Sequence, residues 1–482
     1  MTPSKEWYRR TMKRALCSLG FVGFSLGAAA LAQARDVAVT TTAELNAAIS
    51  AAQPGDVIVL SNGTYASTGA SCSAVGTQAA PIVVRAATPL GAKIEFNALE
   101  GFKVSGAYWT FDGLDILGVC PVDDDCEHAF HVVGAADHFT LINSRVRDFN
   151  AQLKVNIGTV NGNIVAPNAG FIGYNELSDT RPRNTGNPVT KLNIDGGDDW
   201  IVRGNYLHDG TKAGGNQISY LAFLKSGGKR GVMERNLAIC AKDDQSSATR
   251  IGLSLGGGGT GGQFCPPAYN ANVPCSIEHD GGTIRNNIIV NCSDVGIYLN
   301  RAKDSKILFN TIIATSGVDF RFDTTSGEAY GNLLTGVIRT RDGATMTAAS
   351  NKQNVPLTMF QAFYTAPLAG DLSAIGDVTT PIGTVVTRPD VSDDYCAKTR
   401  TAGMTVTGAI DHINGGCVTT RPPTGPGGTG AHDDTPINGD AGTTEPGSAG
   451  GCCSVDRNAP SQAPIGIAFA VVVLGFVRRK RC

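Results

Sequence analysis

Short apolar runs alternate with polar and glycine turns along this chain, and one residue returns at the same place in that alternation. Asn143, Asn175, Asn205, Asn236, Asn287, Asn310 and Asn332 each follow a few residues of strand character and precede an apolar pair or near-pair. The segments read FTLIN-SRV, FIGYN-ELS, WIVRGN-YL, GVMERN-LAI, TIRNN-IIV, KILFN-TII and EAYGN-LL, at intervals of 32, 30, 31, 51, 23 and 22 residues. Repetition at about 20–30 residues, with β-branched runs and glycine turns, predicts a β-solenoid. The shortest interval holds one coil of three short strands and three turns, and the longer ones place insertions at a turn. Stacked in one row at a single corner, each Asn is expected to take the left-handed backbone and to hydrogen-bond its amide to the copies above and below.

The same reading sets the ends of the solenoid. Thr41-Thr42-Ala43-Glu44 predicts a helix start, in which a hydroxyl accepts a helix N–H and Glu44 reaches back. Leu45, Ala48, Ile49 and Ala52 mark one apolar face, and Pro54-Gly55 ends the helix. Such a helix can plug the apolar end of a solenoid. Strand-sized runs then follow at Val57–Leu60, Ile82–Ala86, Phe102–Val104 and Trp109–Leu117. Coils are expected over 35–343, with a capping segment over 344–420 packed on or beside the last coil.

Composition changes the picture mainly at the termini. Residues 1–34 carry five Lys or Arg in the first fourteen, an apolar run from Ala15 to Leu31, and Ala32-Gln33-Ala34, the layout of a secretory signal peptide. The pair Arg9-Arg10 leaves the twin-arginine route open beside the general one. Residues 421–451 are rich in Pro, Gly, Thr and Asp and read as a flexible linker. Beyond them, 452–482 hold Cys452-Cys453, an apolar run from Ile465 to Val477 and then Arg478-Arg479-Lys480-Arg481. Thirteen residues of helix reach only ~20 Å, short of a bilayer core. This tail resembles the myxobacterial carboxy-terminal sorting signal, which implies export, processing by a sorting protease near Cys452-Cys453 and delivery to the cell surface or outer membrane. An ordinary tail anchor is the alternative.

Export makes disulfides the expected state of the nine cysteines between residues 36 and 420. Cys120/Cys126, Cys265/Cys275 and Cys396/Cys417 are each spaced to close a loop. Cys240 and Cys292 lie four and five residues past a repeated Asn, so they share a row, and Cys72 is left over. A net charge of −2 leaves no footprint for nucleic acid, and the chain is read as a monomer.

Two segments carry a family resemblance. Thr42-Ala43-Glu44-Leu45 through Gln53-Pro54-Gly55-Asp56 to Ser61-Asn62-Gly63-Thr64-Tyr65, then Ala80–Ala86, resembles the opening of the chondroitinase B and alginate lyase family. The resemblance implies an all-β, right-handed parallel β-helix that acts on acidic, uronate-containing polysaccharide. It also implies a lysine base, an arginine on the following coil and calcium on the substrate carboxylate. Leu224-Lys225-Ser226-Gly227 matches the lysine strand, which makes Lys225 the base. The next strand, Arg250 to Gly257, has glycine where the arginine is expected, so Arg250 and Arg301 are the two candidates for that role. Gln217, Ile218, Ser219 and Tyr220 stand where the family's calcium carboxylates would be, so no metal ligand is assigned and calcium stays only as a possible cofactor.

The chemistry agrees with the register. β-Elimination needs positive charge on a uronate carboxylate and a base of lowered pKa. Strands about eleven residues before successive Asn should stack ~4.8 Å apart. They present Lys191, Asn193 and Asp195; Lys225 with Phe223 beside it; Ser254 and glycines; Asn300 and Arg301; then Asp319, Arg321 and Asp323. This polar, partly cationic strip is read either as a saccharide groove or as a solvated β-face. Alternation puts Phe223 and Lys225 on one side and Ala222 and Leu224 on the other. Since a lysine inside an apolar solenoid is costly, Lys225 should point outward. The glycine run Gly256–Gly262 lacks a following Gly-Lys-Ser/Thr and reads as close backbone approach at a loop insertion. Glu278-His279-Asp280 at the return of that insertion is a further acid–base candidate, and Asp123-Asp124-Asp125 a possible calcium loop. Two other classes stay open. One is a non-catalytic polysaccharide-binding or adhesin-like protein. The other is a glycoside hydrolase using Asp319 and Asp323, which would need to lie about 5–9 Å apart.

Overall fold

The computed structural model describes residues 35–257 and 260–419. Three parallel sheets of twelve, ten and ten strands wind around one core, an all-β right-handed parallel β-helix. One coil is Ile201–Arg203 in the first sheet, Tyr206–His208 in the second and Ile218–Lys225 in the third. Strands only three residues long suffice because each buries a single central side chain. In the first sheet these are Leu141, Ile172, Val202, Met233, Ile284 and Ile307, all fully buried. The amino-terminal coils fill their core with Phe102, Phe111, Phe130 and Phe139, whose ring centroids lie 4.8–5.8 Å apart. Later coils use Ile, Leu and Val.

The helix Thr42–Ser50 starts where expected. Thr41 Oγ1 accepts the Glu44 N–H at 3.2 Å, and Glu44 Oε2 accepts the Thr41 N–H at 3.1 Å. Leu45 and Ile49 turn into the core.

The asparagine ladder exists, with two corrections. Asn175, Asn205, Asn236, Asn287, Asn310 and Asn332 share the corner between the first and second sheets. Each Oδ1 accepts the backbone N–H one coil earlier, at 2.9–3.1 Å. Each Nδ2 donates back to the central carbonyl of the preceding first-sheet strand, as from Asn287 to Met233 at 2.9 Å. Asn310 and Asn332 are one coil apart. The left-handed residue, however, is the one before the ladder position: Tyr174, Gly204, Arg235, Asn286, Phe309 and Gly331. Asn143 is itself such a residue, with φ of 53°, and the ladder position in its coil belongs to Ser144. At the other end Asn351 extends the ladder, and parallel pairing continues through Thr347–Ala349, beyond Gly343.

Disulfides join Cys120 to Cys126, Cys240 to Cys292, Cys265 to Cys275 and Cys396 to Cys417, and Cys72 is a buried free thiol. The segment after the last coil lies along the outer face of the second sheet. Phe360, Tyr364, Leu372, Val406 and Ile410 pack on Tyr206, Leu237, Ile239, Ile288, Val290 and Leu333. That is why second-sheet strands such as Ile288–Val290 are apolar at every position: both faces are covered. Among the described residues no helix is long and apolar enough to cross a membrane. The expected signal peptide, linker and sorting tail lie outside them.

Candidate functional site

The third sheet positions the candidate chemistry. Its inward row runs Phe102, Phe130, Leu153, Leu192, Ala222, Leu253, Ile297, Val318 and Ile338, one residue per coil. One residue further along each strand, the outward row runs Lys103, His131, Lys154, Asn193, Phe223, Ser254, Tyr298, Asp319 and Arg339. Strict alternation therefore makes one face of a continuous sheet apolar and the other polar. Loops leave from the ends of these strands. The hairpin Gly158–Val160/Asn163–Val165 follows one strand, and an insertion closed by Cys265–Cys275 follows another. The insertion folds back against the turn after Lys225, where a Cβ on Gly227 would meet Pro266 Cδ at 2.5 Å.

At the middle of this face two lysines converge on one carboxylate. Lys154 Nζ donates to Asp195 Oδ2 at 2.8 Å and to Asn193 Oδ1 at 3.1 Å. Lys225 Nζ lies 3.6 Å from the same Oδ2, and 4.9 Å from the Phe223 ring centroid. The Ser226 hydroxyl donates to Asp195 Oδ1, and Glu278 Oε2 accepts the Ser226 N–H at 3.1 Å. Burial would raise the Asp195 carboxyl, but the lysines on both sides outweigh it and hold it below the usual range. Burial draws Lys154 below the ordinary lysine range, with Lys225 adding to the effect and Asp195 opposing it. Burial also pushes the Glu278 carboxyl up. The site thus gathers two lysines around one carboxylate held below its usual range and one carboxyl pushed above it. Gly257 passes beside it, where a Cβ would stand 3.0 Å from Lys225 Cδ. Gly256 runs against the Asn300 carbonyl, where a Cβ would come within 1.9 Å. Close backbone approach is what these glycines permit.

The expected residues divide sharply. Lys225 and Phe223 share the outer side, while Ala222 and Leu224 lie in the core. Asn193 and Asp195 belong to the same cluster. Lys191 does not: it is fully buried, with its Nζ 2.5 Å from Asp179. Arg250 is likewise removed. It pairs with Ser219, six positions from Lys225 along the strand, or ~20 Å. Its guanidinium is spent on Thr211 at 2.8 Å and the Ser246 carbonyl at 2.5 Å. Asn300 stands two strands above Lys225 in register, followed by Arg301, whose guanidinium lies 4.9 Å from the Phe322 centroid. Arg321 stacks on the same ring at 4.7 Å and donates to the Tyr298 hydroxyl at 3.2 Å.

Asp319 and Asp323, the two carboxylates considered for hydrolysis, do not share one setting. Asp319 is buried under Arg339 and Arg341, while Asp323 is exposed in the turn beyond the strand. The acidic loop is not a cation cage either. Asp123 is buried against Arg181 and Arg183, and Asp124 accepts from Thr185. His279 is buried in the coil with no hydrogen-bond partner on either ring nitrogen among the described residues, and burial lowers it to about 3. Of that tripeptide only Glu278 reaches the lysine cluster. One donor cluster, Cys265, Cys275 and Glu278, adjoins the site, but its sulfurs form a disulfide and offer no thiolate.

Lys154 is the residue the sequence reading missed. The signal was available: in Ala151–Asn156, AQLKVN, apolar Leu153 and Val155 bracket Lys154 and aim it outward, one strand before Asn193.

Residues 39–161 match the family model described as chondroitinase B, a stretch that includes Lys154 and stops short of Asp195 and Lys225. Among solved structures, pectate lyase Pel9A is similar at 15% identity, over 76% of this chain and 90% of that one, with a TM-score of 0.53. A rhamnogalacturonan lyase aligns at 15% identity over 68% of this chain and 90% of its own, with a TM-score of 0.46. An alginate lyase from Paenibacillus sp. str. FPU-7 aligns at 16% identity over 66% and 95%, with a TM-score of 0.37. No curated protein sequence matches the chain. The chain is therefore similar to chondroitinase B over its first coils, on a parallel β-helix of the kind seen in a pectate lyase.

Proposed function

We propose that this protein cleaves an acidic, uronate-containing polysaccharide by β-elimination at the Lys154–Asp195–Lys225 cluster. The observation that carries this reading is two lysines on one carboxylate at the floor of a polar sheet face. Lys154 is bound closely to Asp195, whereas Lys225 stands off at 3.6 Å beside an aromatic ring. Lys225, held less closely, is the group free to take the proton from the ring carbon next to a docked uronate carboxylate, while Lys154 supplies the positive charge that makes that carboxylate a better electron sink. The electron pair forms the new carbon–carbon double bond and the glycosidic bond breaks. The leaving oxygen takes up a proton, for which the raised Glu278 carboxyl is the near donor. Incubation with alginate, chondroitin and pectate should generate ultraviolet absorbance from that double bond on at least one of them. Binding without any such signal would defeat the lyase reading.

Non-catalytic binding is the second reading, and one observation favours it: the strand after Lys225 presents Ser254 and Gly256 where an arginine is expected. Export and display at the cell surface are part of the same proposal and rest on residues 1–34 and 421–482. Mass spectrometry of surface material should then find no peptide from Ile465 to Arg481, and an intact tail would favour a tail anchor.

A further inference from the structure

A second cluster lies apart from the Lys154–Asp195–Lys225 site, at the end of a second-sheet strand. His208 closes the strand Tyr206–His208, and Asp209 follows in the left-handed conformation with φ of 51°. Donor atoms of His208, Asp209 and Asp243 all lie within 4.8 Å of one another.

His208 and Asp209 are each held so that one donor faces the other, while the exposed Asp243 carboxylate accepts from Lys242 Nζ at 2.8 Å. The Asp209 Oδ1 accepts the backbone N–H groups of Lys242, Asp243 and Asp244 at 2.8, 2.9 and 3.1 Å. Its Oδ2 faces the His208 Nδ1 at 2.7 Å. The other ring nitrogen, Nε2, is 3.2 Å from Glu176 Oε1, and the Tyr206 ring lies 4.3 Å from the imidazole. The disulfide Cys240–Cys292 fixes the start of the turn that carries Asp243. Three carboxylates thus surround one imidazole, and among the described residues the cation paired with any of them besides His208 is Lys242, on Asp243.

We propose that His208 Nδ1, Asp209 Oδ2 and an Asp243 carboxylate oxygen bind a divalent transition-metal ion of the zinc class. Glu176 accepts the Nε2–H and orients the ring from behind, the usual carboxylate–histidine–metal arrangement. A mixed nitrogen and oxygen donor set suits zinc, which binds imidazole and carboxylate at about 2.0–2.2 Å, whereas calcium takes oxygen donors alone. Binding replaces the proton between His208 and Asp209 by the metal, and the proton leaves to solvent. The role is structural. The ion ties the turn 240–244 to the second sheet, and the same turn continues to Ser246, whose carbonyl anchors Arg250. This inference does not depend on the lyase proposal.

The test uses the full chain, stripped with chelator and titrated with zinc chloride by calorimetry and thermal unfolding, with calcium chloride in parallel. One zinc per chain with a raised Tm is expected, and no response to calcium. His208→Gln should abolish the binding. Asp243→Asn, at a side chain 74% exposed and so neutral for folding, should weaken zinc binding tenfold or more. Cobalt bound in place of zinc should show the visible spectrum of a site with a nitrogen ligand, lost in His208→Gln. Absence of zinc binding, binding unchanged in Asp243→Asn, or an equal response to calcium would each overturn the assignment.

Discussion

Asp195 sets the electrostatics of the site, because it is the one carboxylate that both Lys154 and Lys225 approach. Lys225→Ala should cut product formation ~100-fold or more while leaving the fold intact, since it removes the base and not the pair that neutralises Asp195. Activity at unchanged rate in that variant would remove Lys225 from the mechanism. Arg250→Ala should behave oppositely. It leaves buried hydrogen-bond acceptors without a donor and should lower stability by about 1–3 kcal/mol, with the folded fraction reacting normally. Chemical unfolding beside kinetics separates the two outcomes. The alternation that points Lys225 and Phe223 outward was legible in the sequence, because a strand period of two needs only the neighbouring residues. The burial of Lys191 and Arg250 was not. Their partners, Asp179 and Ser246, come from loops, and a lysine sealed by an ion pair has the same spacing as one facing substrate.

Among elements, the ladder corner makes the sharpest distinction between look-alike residues. Asn287 accepts from both the backbone N–H and the Nδ2 of Asn236 at 2.9 Å, and donates to the Met233 carbonyl, all buried. Asn287→Ala leaves the Asn236 N–H and the Met233 carbonyl without these partners and should cost about 2–6 kcal/mol, at 1–3 kcal/mol for each of the two. Asn143→Gly, which keeps the left-handed backbone, should cost less than about 1 kcal/mol, because the Asn143 amide reaches only the partly buried Asp112 at 2.9 Å. Equal losses in the two variants, measured by denaturant unfolding, would mean that the corner is not what holds the coils in register. Asn143 joined the pattern by sequence because its frame is shifted by a single residue, and Ser144, which accepts and donates at the same corner, does not look like an asparagine.

For the molecule as a whole, the segment after the last coil seals the outer face of the second sheet, and its docking should depend on acid. Arg388 bridges Glu328 and Asp390, and Lys306 reaches Asp390 at 3.1 Å. The hydrogen bond from Arg388, aided by Lys306, lowers Asp390 from 3.8 to about 2. A depressed carboxyl stabilises the folded form above its unfolded value and loses that contribution as pH falls. Hydrogen exchange over 364–391 should therefore quicken between pH ~4 and ~2 ahead of the coils, and a simultaneous loss would show that the segment has no separate clasp. That apolar tripeptides such as Ile288–Val290 need a cover was legible in the sequence. Which segment supplies it was not, because nothing in the periodicity of 344–420 registers with the coils. The lysine cluster on the sheet face commits the proposed function to one chemical claim, elimination rather than hydrolysis. The direct measurement is mass spectrometry of oligosaccharides released from a uronate polymer. Elimination predicts fragments whose new non-reducing end is unsaturated and lighter by one water, formed by the native chain and lost in Lys225→Ala. Fragments that all carry the full mass of hydrolysis products would contradict it.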